Sequence, residues 1–405
     1  MKQDTLKIYG YRWIVLITFM FAIAVNQLLW ITFASITGSA ADYYGVSDLS
    51  IGLLSMIFMI VYLFVSIPAS WVIDTYGFRV AVGIGAALTG IFGLTRGLLG
   101  SHYTLVLISQ VGIAVGQPFI LNAVTRVAAR WFPIQGRATA AGLGSLSMYL
   151  GIVIGLALTP YLVIHTSIES MLVTYGIVAV IAAAVFWGFA REHPPTPACP
   201  PGQEERSLVF DGLKQILRKK DFILLMVVFF IGLGIFNAVA TWIEDILRPR
   251  GFSITQAGLT GGLMVVGGIL GAVVLPTLSD RYRKRVPFIL IALAASCLGL
   301  VGITYAASYS LLLASSFVLG FFLLSAGPIG FQYGAEIAYP APEGTSNGLL
   351  LLMGQISGII FIFGMDSFKV PETGSMTPPL LVLIGLMVIG FFLSTRLRES
   401  SLLSD

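Results

Sequence analysis

Long apolar runs separated by short polar stretches make up most of the 405-residue chain. A helix rises ~1.5 Å per residue, so roughly 20 apolar residues cross the ~30 Å hydrocarbon core of a bilayer. Twelve runs of that kind can be marked, at about 12–38, 50–70, 80–100, 104–125, 138–164, 170–190, 222–243, 257–278, 286–306, 310–333, 345–365 and 378–395. Their apolar residues are continuous, whereas the strands of a membrane barrel alternate apolar and polar over about ten residues. The pattern predicts an all-α integral membrane protein with twelve transmembrane helices.

Composition sharpens this reading. Hydrophobic residues make up 57% of the chain and charged residues 10%, against about 25% charged in an ordinary soluble domain. A soluble enzyme is thereby excluded, and no cluster of histidines or carboxylates offers the constellation a membrane enzyme needs. The first ten residues are polar and the first apolar run is too long for a secretory leader, so no cleaved signal is expected. Two cysteines, Cys199 and Cys297, give no disulfide framework or metal cluster, and no cofactor is expected.

The net charge of +4 would suit a nucleic-acid partner, but its distribution argues otherwise. With both termini on the cytoplasmic side, 19 of the 23 basic residues fall in cytoplasmic segments, and only Arg96, Arg248, Arg250 and Lys369 remain for the outer face. This is the positive-inside asymmetry of membrane proteins, and it requires no nucleic acid. The outer face carries seven acidic residues (Asp42, Asp48, Glu169, Glu244, Asp245, Asp366 and Glu372) against those four basic ones, a weak funnel for cations.

The longest hydrophilic stretch, 191–221, divides the chain into two six-helix bundles, 1–190 and 222–405. It opens with the proline-rich Pro194–Pro201 and ends in SLVFDGLKQILRKKD, an amphipathic piece whose basic side suits the headgroup layer. The halves repeat. Asp74-Thr-Tyr-Gly77-Phe-Arg79 follows the second span and Asp280-Arg281-Tyr-Arg283-Lys-Arg285 the eighth, and both Asp74/Asp280 and Arg79/Arg285 are 206 residues apart. Gly142 and Gly348 share that offset. Parallel six-span repeats with a midplane site between them are one known transporter build.

The loop from Asp74 through Gly77 to Arg79 resembles the signature between spans two and three of the major facilitator superfamily. The resemblance implies that such loops serve conformational switching, with Asp74, Gly77, Arg79, Asp280, Arg281, Arg285 and Glu336 in that role. Arg126, Arg130 and Arg137 are candidate partners for the Asp74 carboxylate. A narrower likeness covers most of the chain. Asp42-Tyr-Tyr-Gly-Val-Ser, Leu54–Tyr62, Pro68–Asp74, Gln117-Pro-Phe-Ile-Leu, Arg126–Phe132, Pro328–Pro340, Glu343–Gly348 and Gln355-Ile-Ser-Gly358 together resemble the feline leukaemia virus subgroup C receptor family. That family transports choline and ethanolamine, and haem has also been proposed as its substrate. Short loops point to a microbial relative in a plasma or inner membrane.

Polar groups at mid-span depth cost free energy unless they have partners or line a wet cavity, so they mark candidate sites. None of the acidic residues and none of the three histidines falls there, and 105–125 lacks the arginine that many proton-driven antiporters carry in the fourth span. Proton coupling is therefore disfavoured. The mid-span residues are neutral: Asn26, Gln27 and Trp30, Gln117, Tyr149, Asn237 and Trp242, Ser325 and Gln355. Tyr149 and Gln355 are 206 apart and Trp30 and Asn237 207, so equivalent positions of the two halves would face one another.

The family resemblance implies that Trp30, Gln117 and Gln355 enclose the substrate ammonium, while the family's span-seven tyrosine is replaced by Asn237, opening one side of the cage. Independently of that, a tryptophan face attracts a quaternary ammonium, and choline, with no N–H to donate, needs no carboxylate. Gly151-x-x-x-Gly155 with Pro160 in span five, and Gly112 and Gly116 in span four, read as packing and hinge elements. The expected function is alternating-access uniport of a small organic cation such as choline or ethanolamine by a monomer in the bilayer. The alternatives are a haem or amphiphile exporter using His102 and His165, or a receptor that has lost transport.

Overall fold

The computed structural model describes residues 9–196, 216–339 and 343–399. Among them, twelve helices are long and apolar enough to cross a membrane. The first half contains α1 (Tyr11–Ile31), the short α2 (Thr37–Tyr44), α3 (Asp48–Tyr76), α4 (Phe78–Leu98), α5 (Tyr103–Leu121), the short α6 (Val124–Trp131), α7 (Ile134–His165) and α8 (Ile168–Phe189). The second contains α9 (Lys220–Thr241), the short α10 (Ile243–Leu247), α11 (Ile254–Tyr282), α12 (Val286–Tyr305), α13 (Tyr309–Ala338), α14 (Glu343–Ser367) and α15 (Thr377–Ser394). The amphipathic piece up to Gln215, together with Cys199, lies outside the described residues.

Hydroxyl caps start several spans where the sequence offers them. Ser167 accepts from Ser170 N and Ser308 from Leu311 N, while Ser253 and Gln256 form a reciprocal capping box. Proline stands inside five of the spans, at 68, 118, 160, 276 and 328, as bilayer helices tolerate when neighbours satisfy the freed carbonyls. The first span differs from the sequence reading. The apolar run continues to about residue 38, but helix α1 stops at Ile31, and 32–36 form turns before α2 resumes.

Contacts cluster the chain into two units. The first comprises Met1–Thr32 and Ile60–Arg206; the second comprises Phe33–Met59 and Ser207–Asp405. The break in the first span thus coincides with the passage of the chain from one unit to the other. Within each unit, glycine brings backbones close. A Cβ at Gly151 would collide with the Ala24 carbonyl, and one at Gly155 with Ile31, so α7 is docked on α1. Gly116 meets the Gly85 carbonyl and Gly112 the Phe92 ring, joining α5 to α4. In the second unit, Gly271 and Gly320 place α11 and α13 in similar backbone contact. Small residues that allow close approach are the expected glue where lipid removes the hydrophobic drive for helix association. Large apolar side chains such as Phe64, Ile67, Leu298 and Phe392 point outward, the surface a bilayer would cover.

Candidate functional site

In the first unit, Trp30 occupies the last turn of α1, Gln117 sits on α5 one residue before Pro118, and Tyr149 is half-buried on α7. Trp30 and Gln117 are each 6% exposed. Asn26, one turn before Trp30, is fully buried and donates to the Thr89 hydroxyl at 3.0 Å, while Gln27 donates to the Asn26 carbonyl oxygen at 3.4 Å. Asn26 thereby ties α1 to α4. Tyr149 and Trp30 lie on the two helices that Gly151 and Gly155 hold together.

In the second unit, Asn237 on α9 donates to the carbonyl of Gly354 at 3.2 Å, next to Gln355 on α14. The Met59 sulfur and the Asn237 side chain both crowd the bare face of Gly358. Asn237 therefore packs on the turn of α14 that carries Gln355, and both residues are half-buried. Trp242 is no lining residue. It is fully buried at the end of α9 and donates its indole N–H to Ile362 O at 3.0 Å. Ser325 is buried and donates to Phe322 O in its own helix.

The loops that repeat in sequence differ in their bonding. In the second unit, Arg285 is buried, 6% exposed. It bonds Glu336 Oε1 at 3.0 and 3.1 Å, Ser279 Oγ at 3.1 Å, and Asp280. Burial works against its charge, but Asp280 and Glu336 hold its pKa above the ordinary value. Arg281 is exposed. In the first unit, Asp74 is exposed and, among the described residues, no ion pair reaches it. Arg137 instead donates to the carbonyls of Ala129 and Phe132, bracing the turn between α6 and α7. Arg126 and Arg130 are half-buried on α6.

A further element of these loops escaped the sequence reading. Glu192 accepts from the backbone N–H of Phe78 (3.3 Å) and Arg79 (2.7 Å), and Glu399 accepts from Arg285 N and Val286 N at 3.0–3.1 Å. Glu192 and Glu399 are 207 residues apart, the repeat offset found elsewhere, so each half returns a carboxylate to the start of its third span. Gly77 has φ +87°, and the matching Arg283 also adopts a left-handed backbone, φ +50°.

At the opposite helix ends of the second unit, charges are paired. Arg248 bonds Asp48 at 2.7 Å, Glu244 at 3.2 Å, and Asp245; Lys369 bonds Asp48 at 2.6 Å and Asp245 at 2.7 Å. Glu244 is 3% exposed and Asp245 fully buried. Burial raises the Glu244 pKa more than Arg248 and the Gly38 N–H lower it. Burial also disfavours the Lys369 ammonium, yet the carboxylates of Asp245 and Asp48 outweigh it and raise its pKa. Arg250 donates to the carbonyls of Ile303 and Ala306. Arg96, expected on the outer face, is fully buried inside the first unit instead. His102 and His165 are exposed, and His165 Nδ1 lies 2.8 Å from Tyr161 O in its own helix.

Comparison with known proteins gives these features a context. A family model described as Major Facilitator Superfamily matches residues 13–362. Solute carrier family 49 member A3 of Xenopus tropicalis is 31% identical, over 92% of this chain and 80% of that protein. Choline/ethanolamine transporter flvcr2b of Danio rerio is 30% identical over 97% of this chain and 86% of its own. Choline/ethanolamine transporter FLVCR1 of Felis catus is 28% identical over 96% and 74%. A solved bacterial homolog of the human lysosomal transporter Spinster, inward-facing and unoccupied, superposes with a TM-score of 0.78 at 16% identity, covering 96% of this chain and 98% of that one. At that identity the likeness shows the fold. With the family match running from the first span into the eleventh, the chain belongs to the major facilitator superfamily of membrane transporters.

Proposed function

We propose that this chain is an alternating-access uniporter of a small organic cation, choline or ethanolamine, working as a monomer in the plasma membrane with both termini cytoplasmic. Residues 1–190 and 222–405 act as the two six-helix bundles, and 191–221 is their tether. Trp30 faces the ammonium, Gln117 and Gln355 close around it and meet the hydroxyl, and Asn237, Tyr149 and Asn26 complete the lining. The loops at Asp74–Arg79 and Asp280–Arg285, with Glu336, Arg126 and Arg130, govern the switch between states.

The observation that carries this reading is a match over almost the whole chain to proteins named as choline/ethanolamine transporters, joined to a set of neutral, aromatic residues at mid-span. Choline, a fixed positive charge with no N–H, is recognised by aromatic faces without a titrating partner. The test is counterflow of labelled choline in proteoliposomes, with and without an imposed pH gradient. Saturable exchange that ignores the pH gradient supports the proposal. No exchange with choline or ethanolamine sinks the substrate assignment, and exchange driven by the pH gradient sinks uniport.

A further inference from the structure

The break after Ile31, one residue past Trp30, poses a problem for the bilayer. A helix end leaves its last carbonyls without intrahelical donors, and lipid offers none, so irregular backbone at membrane depth must be satisfied by protein groups. Here the donors are side chains. The Thr32 hydroxyl bonds Leu28 O at 2.8 Å and reaches Leu29 O at 3.3 Å. Arg96 Nη1 on α4 donates to the same Leu29 O at 3.0 Å, and Gln110 Nε2 on α5 reaches it at 3.3 Å. Arg96 Nη1 also bonds Gln110 Oε1 at 2.8 Å, and Nη2 reaches Thr32 Oγ1 at 3.5 Å. Arg96 and Gln110 are both fully buried. The guanidinium therefore grips the backbone at Leu29 and the side chain at Thr32, the residues that bracket Trp30. A cation at a helix C-terminus is favoured by the helix dipole, and a planar fork can hold two separate acceptors where an ammonium is a point charge.

From this geometry we infer that Arg96 and Gln110 are positioning residues for Trp30. They fix the pitch of the last turn of α1, and so the direction of the indole that receives the substrate cation. The grip lies on the first-unit side of the passage between Thr32 and Phe33. The binding role rests on the proposed function, in which Trp30 faces the ligand; the placement of Trp30 does not.

The experiment uses the full-length protein in detergent and lipid nanodiscs. Trp30 emission is isolated as the difference between each protein and its Trp30→Phe counterpart, and choline affinity is measured at equilibrium. Arg96→Lys keeps the charge but not the fork, Gln110→Leu keeps the size, and Arg96→Met removes the grip. In folded protein, judged by gel filtration, Arg96→Lys and Gln110→Leu should each shift the Trp30 difference emission and weaken choline binding roughly tenfold, the usual scale for residues that orient a ligand group. Arg96→Met should do more; if it fails to fold, the other two variants still decide. Unchanged Trp30 emission in both would overturn the positioning role, and a shift with unchanged choline affinity would overturn its part in binding. If the unaltered protein binds no choline, the substrate assignment fails separately, and the emission still tests the placement.

Discussion

An indole face attracts a quaternary ammonium by about 0.5–2 kcal/mol, with more when the pair is desolvated. In the proposed site, Trp30, buried at the end of α1, supplies that face. Trp30→Ala should therefore weaken choline binding about tenfold or more while the protein still elutes as a folded species; unchanged affinity by isothermal titration would remove Trp30 from the site. Asn237 gives the complementary test. Its amide meets Gly354 O and packs, with the Met59 sulfur, on the bare face of Gly358. Asn237→Tyr supplies a second aromatic face, and choline affinity should rise by about 2- to 30-fold, the same energy range expressed as a ratio. A loss of affinity in folded Asn237→Tyr would mean that the asparagine itself meets the ligand. These candidates were legible because an amide or indole stands out inside an apolar run. Their duties were not. Asn26 reads like Gln117 in sequence, yet its amide is engaged by Thr89, 63 residues away. Arg96 lies at the edge of a run and reads as a loop cation, and only the fold shows it turned inward onto Leu29.

Helix ends carry more of the molecule's specific chemistry than helix middles. Glu192 and Glu399 each accept the free N–H groups at the start of a third span, as an N-cap side chain does. Glu192→Ala and Glu399→Ala should each cost about 0.5–2 kcal/mol, with the exposed Glu399 at the low end. The two losses should add, since the carboxylates belong to separate units and share no partner among the described residues. Thermal unfolding of the single and double variants measures this; a double variant no worse than either single would refute independence. The 207-residue spacing of this pair was present in the sequence, but a lone glutamate after a span carries no flanking motif such as that from Asp74 through Gly77 to Arg79. The number and place of the spans were legible because hydrophobic length sets them, though the second runs on to Tyr76 and the tenth to Ala338, past the ends of their apolar runs. The break at 32–36 was not, since Thr-Phe-Ala-Ser-Ile contains neither the glycine nor the proline that usually marks one. What ends α1 there is a set of donors from α4 and α5, a tertiary cause with no local signature.

In the second unit, the gathering of Asp48, Glu244 and Asp245 at one set of helix ends was legible from loop composition. The count of free charge at the acidic end was not. Asp48 and Asp245 are bonded to both Lys369 and Arg248, and Glu244 to Arg248, so the funnel for cations is weaker than seven carboxylates imply. The pairing has a pH signature. The folded Lys369 pKa is raised above its ordinary 10.5, so the unfolded chain gives up its proton at lower pH than the folded one. The stabilisation is then fully present below pH 10.5 and is lost as pH rises through the raised value. Melting temperatures should fall across that alkaline window, and Lys369→Met should flatten the dependence while lowering stability at neutral pH; a variant with the same alkaline slope would assign the loss to another group. Transport itself offers the sharper test of how the molecule handles charge. A uniporter that moves one positive charge per cycle couples it to the membrane potential, worth about 2.3 kcal/mol per 100 mV. In proteoliposomes with a potassium–valinomycin potential of about 100 mV, inside negative, labelled choline should accumulate toward ~50-fold, since each 1.4 kcal/mol is a factor of ten. The ratio should fall to unity when the potential is collapsed, and a pH gradient should not replace it. A one-for-one exchange of choline against a proton would give the reverse pattern, with accumulation following the pH gradient and indifferent to the potential. That pattern would require a titrating group within the transport cycle, and the buried Glu244, whose carboxyl is pushed upward by burial, would be the first residue to replace with glutamine.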